Sequence, residues 1–314
     1  MKKLVLLAAI LFVSFIQIVQ AAEEVPYLLT VASKGDVATV NALLESGVNP
    51  NTKDLDGITA LMYASRKDQF EVAKLLLAKG ADVNARENGG WTALMFASKK
   101  NYIATAKVLL ANGADPKIRD ISGWSALGLA ATSGYAELVG MLIKSGVDAN
   151  LKTDDGKTIL MFAAKNGDVP TIDSLIENKA DISTRDRFGM TSLMYAARAG
   201  NALAVEALIG HGAKVNDGDQ SKWTALTWAV RKKQLPSAEI LIKSGAEVNH
   251  KDNQGLPLLH SAVNNGDIEM VRLLLKNGAD PRAKDQYSLT ALIYAMQAKR
   301  TEIVNLLKDS GGNY

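Results

Sequence analysis

Apolar and polar positions alternate along this chain in a short, recurring pattern. After Thr59 the sequence runs Ala60-Leu61-Met62-Tyr63-Ala64, and Leu61, Met62 and Ala64 fall on one face of a helix. The Thr59 hydroxyl stands immediately before this run and predicts an N-cap. A second apolar stripe comes at Val72, Leu75 and Leu76, again at helical spacing. Gly80 lies just past its last turn, where a left-handed backbone is easiest for glycine. The segment from Ala81 to Gly90 is rich in turn-forming residues and predicts a hairpin-like link to the next element.

The same pattern then begins again. Gly57-Ile58-Thr59-Ala60-Leu61 returns from Gly90, and in variant form from Gly123, Gly156, Gly189, Lys222, Gly255 and Ser288, each start 33 residues after the last. A second motif, clearest as Leu76-Leu77-Ala78-Lys79-Gly80-Ala81-Asp82-Val83-Asn84, recurs in copies ending at Asn51, Asn150, Asn216 and Asn249. Ahead of Asp54 the hairpin is missing, but Val31-Ala32-Ser33-Lys34-Gly35-Asp36 and Leu43-Leu44-Glu45-Ser46-Gly47 keep the two helical halves. No single copy can bury its apolar stripes alone, so neighbours must stack. Small residues such as Ala64, Ala97, Ala130 and Ala163 let adjacent helices approach closely.

This period and core resemble the ankyrin repeat, over about residues 25 to 312. The resemblance implies an all-α fold, an ankyrin-repeat solenoid of about nine helix-pair units joined by β-hairpin-like turns. Residues 22–53 are expected to form an N-terminal capping unit, 54–284 seven repeats, and 285–314 a C-terminal capping unit. The copies depart from the family in places. Ala60, Ala93, Ala126 and Ala225 stand where the family has Pro. Met62, Met95, Met161 and Met194 stand where it has His, a slot that only His260 keeps. Met there is expected to exchange hydrogen bonding for packing between repeats. Lys179 replaces a helix-terminating Gly, and Lys222 and Ser288 replace a hairpin Gly, which marks all three for local strain.

Residues 1–21 do not fit the repeat. Lys2 and Lys3 precede an apolar run from Leu4 to Val19, and Val19-Gln20-Ala21 supplies a cleavage-site pattern, as in a secretory signal peptide. Cleavage is expected after Ala21 or after Ala22. The short n-region looks bacterial, so the expected location is the periplasm, with no stable membrane insertion after cleavage. The 314-residue chain contains no cysteine, which excludes disulfides, thiol nucleophiles and Cys-based zinc sites. Its net charge of +3 is too small to point to nucleic acid. His211, His250 and His260 lie in different copies, and no nucleophile or carboxylate matches their spacing, so neither catalysis, a metal nor a cofactor is implied. The recurring Asp54, Asp120, Asp186, Asp219, Asp252 and Asp285 are expected to satisfy local hairpin amides rather than to do acid–base chemistry.

The slots that vary are more informative. Trp91, Trp124 and Trp223 occupy the position directly after the hairpin glycine or its substitute. The resemblance places that slot near the hairpin tip, where each Trp serves either as a partner-binding anchor or as packing against the next hairpin. The aromatics Tyr63, Phe96, Phe162, Tyr195, Trp228 and Tyr294 recur at one slot of the first helix and are expected in the core. The two slots ending each first helix hold Arg66, Lys67, Lys99, Lys100, Lys165, Arg198, Arg231 and Lys232 and not one acid. Helix dipoles favour cations there, but a dipole alone does not exclude acids so completely. By the resemblance these slots face a concave groove. The expected function is a non-catalytic scaffold binding an envelope protein with an acidic surface, such as a peptidoglycan hydrolase that it inhibits or shields. The alternative is direct binding of an anionic cell-wall polymer.

Overall fold

A computed structural model describes residues 25–313, so the signal-like segment 1–21 and its cleavage site lie outside the described residues. Among the described residues the chain forms eighteen helices and no strand. The shorter helices are α1 (Tyr27–Lys34), α3 (Ala60–Ser65), α5 (Ala93–Lys99), α7 (Ala126–Thr132), α9 (Ile159–Asn166), α11 (Ser192–Ala199), α13 (Ala225–Arg231), α15 (Leu258–Asn265) and α17 (Ala291–Gln297). They alternate with α2 (Val37–Glu45), α4 (Phe70–Ala78), α6 (Ile103–Ala111), α8 (Ala136–Lys144), α10 (Val169–Glu177), α12 (Ala202–Gly210), α14 (Leu235–Lys243), α16 (Ile268–Lys276) and α18 (Thr301–Asp309). No helix among them is long and apolar enough to cross a membrane. The chain divides into two compact units, one running to Ala130 and one from Ala131.

Within each unit, helices pack on their equivalents 33 residues away. In the first unit α3 rests on α1 and α5, and α4 on α2 and α6. In the second, α11 rests on α9 and α13, and α12 on α10 and α14. The residues that face these neighbours are the predicted stripes: Leu61, Met62, Ala64, Leu76 and Leu94 are all at most 1% exposed. Hydrophobic burial therefore runs from copy to copy, as stacking requires.

Local sequence fixes the ends of the elements. The hydroxyls of Thr59, Thr92, Thr158, Thr191 and Thr224 each accept a backbone N–H three residues on, at 3.2–3.4 Å. The methionines in the histidine slot do more than pack. The Sδ atoms of Met62, Met161 and Met194 lie 3.4–3.5 Å from the backbone N–H of the capping Thr, so a weak sulfur acceptor keeps part of the hydrogen bonding that the sequence seemed to give up. The recurring Asn is a clamp between copies. Asn51 Nδ2 donates to the Gly80 carbonyl at 3.1 Å while its Oδ1 accepts from Asp82 N at 2.7 Å. Asn84, Asn150, Asn216 and Asn249 repeat this pair of bonds.

The links are turns closed by isolated antiparallel bridges, for example Lys53 with Thr59 and Lys152 with Thr158. Adjacent turns also join tip to tip. Asn88 N donates to Asp56 O and Ile121 N to Gly89 O in the first unit, and Arg187 N to Asp155 O and Gln220 N to Phe188 O in the second.

All three residues marked for strain have positive φ: Lys179 at 69°, Lys222 at 58° and Ser288 at 60°. Asp68, Asn101, Lys233 and Lys299 share this conformation, past the ends of first helices where other copies carry Gly. At the glycines equivalent to Lys179, such as Gly146 and Gly245, an added Cβ would meet nothing within 4 Å. The strain at Lys179 is therefore conformational and is not offset by packing. Lys179→Gly is expected to stabilise the protein by about 0.5–1 kcal/mol, the left-handed penalty less the entropy that glycine adds to the unfolded chain. Thermal melting of the two proteins checks this, and a lower midpoint for the variant would contradict it.

Candidate functional site

The hairpin carboxylates are held by the fold. Asp54 Oδ1 accepts the backbone N–H of Asp56 at 3.0 Å and of Ile58 at 2.8 Å. Asp120, Asp186, Asp219, Asp252 and Asp285 do the same with their own turns. In four copies the other oxygen accepts from the first-helix aromatic nine residues on. The donors are Tyr63 Oη to Asp54 at 2.9 Å, Tyr195 Oη to Asp186 at 2.7 Å, Trp228 Nε1 to Asp219 at 3.1 Å and Tyr294 Oη to Asp285 at 2.6 Å. Burial alone would raise the Asp285 carboxyl, but bonds from Tyr294 and from the Leu289 and Tyr287 amides outweigh it and leave the group below the usual carboxylate range. The same bond, with burial, pushes the Tyr294 hydroxyl up to about 12. Burial first and the Asp186 bond second raise Tyr195, and Tyr63 follows the same order with Asp54.

The structure corrects the placement of the aromatic row. Only Tyr195 is buried, whereas Tyr63, Phe96, Phe162, Trp228 and Tyr294 are half-buried. Each tethered ring is tied to the hairpin of its own copy, at the edge of the core for Tyr63, Trp228 and Tyr294 and inside it for Tyr195.

The hairpin tryptophans meet that row. In the first unit the Trp91 ring lies 5.1 Å from Phe96, centroid to centroid and tilted by 47°. In the second, Trp223 stands edge-on to Trp228 at 4.9 Å, and its Nε1 also donates to Asp252 of the next hairpin at 3.3 Å. Trp124 lies against the start of α7, where a Cβ at Gly128 would stand 3.0 Å from its Cε3. All three are half-buried. Trp91 and Trp223 pack on an aromatic ring of their own copy, and Trp223 also bonds to the next hairpin.

Cations complete the arrangement. Arg66, Lys67, Lys99, Lys100, Lys165, Arg198, Arg231 and Lys232 are all exposed. Among the described residues none of them forms an ion pair. In the first unit Arg66, Lys67, Lys99 and Lys100 line one pocket of about 350 Å³ together with Trp91 and Phe96. The Arg66 guanidinium lies 5.6 Å from the Phe96 ring and 5.8 Å from that of Tyr63. In the second unit Arg198 sits 4.7 Å over Trp228 and Arg231 sits 3.9 Å over Trp223, so each ring of the edge-on pair carries a cation. Lys165 and Lys232 stand near the C-terminal ends of α9 and α13 without a ring partner. Such surfaces suit anionic ligands with an apolar component.

Two features escaped the sequence pattern. Leu55 and Ile121 are 74% and 80% exposed at hairpin tips of the first unit, and Tyr287 is 70% exposed at a tip of the second. Their signal was present: an apolar side chain between a turn's Asp and its positive-φ residue. A second basic row precedes the first hairpin position, an acid in every case but Thr153, at Lys53, Arg86, Arg119, Lys152, Arg185, Lys251 and Lys284. Much of this row is occupied within the stack. Lys53, Arg86, Arg185 and Lys251 each donate to the main-chain carbonyl 33 residues on.

The histidines lie apart. His211 Nε2 lies 2.8 Å from Asp173 Oδ1 on the surface, His250 reaches the Lys222 carbonyl, and His260 is fully buried. Among the described residues no three His, Asp or Glu gather as a metal site.

A family model described as ankyrin repeats (3 copies) matches residues 28–120, 112–186, 160–252 and 245–314, and so runs without a gap over the whole described fold. No curated protein matches the chain.

Proposed function

The chain belongs to the ankyrin-repeat family, and from that premise we propose that it is an exported, non-catalytic scaffold whose ring-and-cation surface binds an acidic partner protein. The observation that carries this reading is the set of eight exposed cations without an acidic partner, six of which lie beside rings fixed by the hairpins. Fixed rings and unneutralised cations favour association with a partner of opposite potential. Counting α1 and α2 as a capping unit gives nine helix pairs, with 285–314 as the other cap.

The signal-like residues 1–21 support export to the periplasm. In that compartment an acidic envelope enzyme, such as a peptidoglycan hydrolase, is the proposed partner, and the scaffold inhibits or shields it. This last step rests on fold and compartment. A second reading, direct binding of an anionic cell-wall polymer, draws on the same pairing of rings and cations.

The test uses the mature protein and a variant with all eight cations changed to Ser. The native protein should capture a specific envelope protein, identifiable by mass, that the variant fails to hold. Co-sedimentation with purified wall material, matched by no protein partner, would favour the polymer instead. Equal capture by both proteins would refute the surface assignment.

A further inference from the structure

The two ring-and-cation clusters are not equivalent. In the second unit the rings already have polar partners: Trp228 Nε1 donates to Asp219 and Trp223 Nε1 to Asp252, so carboxylates of the protein itself hold the rings that Arg198 and Arg231 cover. In the first unit the matching positions hold Trp91 and Phe96. Phe96 has no donor to give. The hairpin acid there is Glu87, whose two oxygens are taken by the backbone N–H groups of Gly89 and Trp91. Trp91 Nε1 has no partner among the described residues, so neither ring of this pocket is tied through its side chain to a carboxylate, and Arg66, Lys67, Lys99 and Lys100 form no ion pair among the described residues.

Resting on the protein-binding reading above, we infer that the first-unit pocket is the anchor site for an acidic peptide segment of the partner, one in which carboxylates flank an apolar side chain. The pocket's volume of about 350 Å³ exceeds what a lone carboxylate or phosphate fills and suits a side chain with its flanking groups. Trp91 and Phe96 form its apolar wall. Arg66 lies over the Tyr63 and Phe96 rings and forms no ion pair among the described residues, so its guanidinium is available to pair with a carboxylate in bidentate fashion. Lys67, Lys99 and Lys100 add three rotatable donors around the rim, and the indole N–H adds a fixed one. A uniformly charged polymer has no use for the apolar wall. An acidic peptide with a central Leu uses both parts of the site.

The probe is an acetylated, amidated, fluorescein-labelled Glu-Glu-Leu-Glu-Glu peptide, titrated by anisotropy into the full mature chain at low ionic strength. One site is expected, weakened at least tenfold by Lys99→Ser/Lys100→Ser and by Trp91→Leu. The control is Lys74→Ser/Lys117→Ser, which removes two exposed charges from the same unit away from the pocket and is expected to bind within about twofold of the native protein. Melting curves confirm that each variant is folded. Because Trp91 packs on Phe96, the lysine pair decides the matter if the Trp91 variant is unstable. The inference is overturned if the acidic peptide does not bind, if the control weakens binding as much as the pocket pair, or if polyglutamate or purified wall polymer binds more tightly than the Leu-containing peptide. Failure of the scaffold reading looks different. A protein that binds the peptide at this pocket but captures no envelope protein would keep the pocket and lose the scaffold function. A captured partner that the Lys99/Lys100 variant still holds would do the reverse.

Discussion

Leu94→Asp is expected to destabilise the protein by more than about 4 kcal/mol, out of a total of about 5–15 kcal/mol for a typical domain. Leu94 is 1% exposed on α5, which packs against α3 and α6. Removing the side chain down to Ala would by itself cost about 2–5 kcal/mol. The carboxylate adds to this because it is placed where an apolar side chain is packed away from water. It must either be buried charged or take up a proton well above its ordinary range. In a stacked array stability is close to a sum of nearest-neighbour terms. The damage should therefore appear first in α3, α5 and α6. Hydrogen exchange should show their amides losing protection together, with Leu94→Ala as an intermediate case. A Leu94→Asp protein that melts with the native one would mean that this stripe is not the stacking face.

That stripe was legible in the sequence because each copy restates it. The Thr before the run, the apolar pair after it and the closing Asn recur in phase, and the structure gives each a physical job in capping, stacking or clamping. Lys179, Lys222 and Ser288 were legible as strained because each breaks a Gly column that the neighbouring copies define. Asp68, Asn101, Lys233 and Lys299 were not, since their column mixes Gly with polar residues and shows no rule to break.

The site was legible in part. The basic slots and the tryptophans stood out by composition, and the first unit does bring Arg66, Lys67, Trp91, Lys99 and Lys100 together. The half-buried state of the aromatic row did not stand out. Apolar character along a helix points such rings to the core, and the hydroxyl or indole bond that ties Tyr63, Trp228 and Tyr294 to an Asp nine residues earlier is a contact no local pattern announces. The second basic row shows the opposite problem. Lys53 and Arg86 look like a charged surface, yet their partners are carbonyls 33 residues on, which no local pattern reveals. Contacts across one repeat period decide which cations are free for a partner, and those contacts require the stack.

His260 gives the remaining prediction, a loss of stability on mild acidification that a single substitution should remove. The side chain is fully buried, and its Nε2 lies 3.0 Å from the Leu289 carbonyl, so that nitrogen carries the proton and donates. Nδ1 is buried without a partner, and the Tyr294 ring stands edge-on at 5.2 Å. Burial lowers the pKa of His260 below its ordinary 6.5, with Lys251 acting in the same direction, while the Leu289 bond and Asp285 oppose it without cancelling it. Well above pH 6.5 the imidazole is neutral in both folded and unfolded chains and contributes no pH dependence. Below that value the unfolded chain binds a proton that the folded one refuses, so stability falls as pH falls, until the folded-state pKa is passed. Met fills this slot in four other copies and cannot titrate. His260→Met should therefore be less stable than the native protein at pH near 7.5, by about 1 kcal/mol for the lost carbonyl bond, and should lose less on moving to about pH 5. Carboxylates other than Asp285, which interacts with the imidazole charge, contribute equally to both proteins, so the difference between their melting points across that interval reports the imidazole together with its coupling to Asp285. Parallel curves, with the same gap at both ends, would show that the buried ring is not the titrating group.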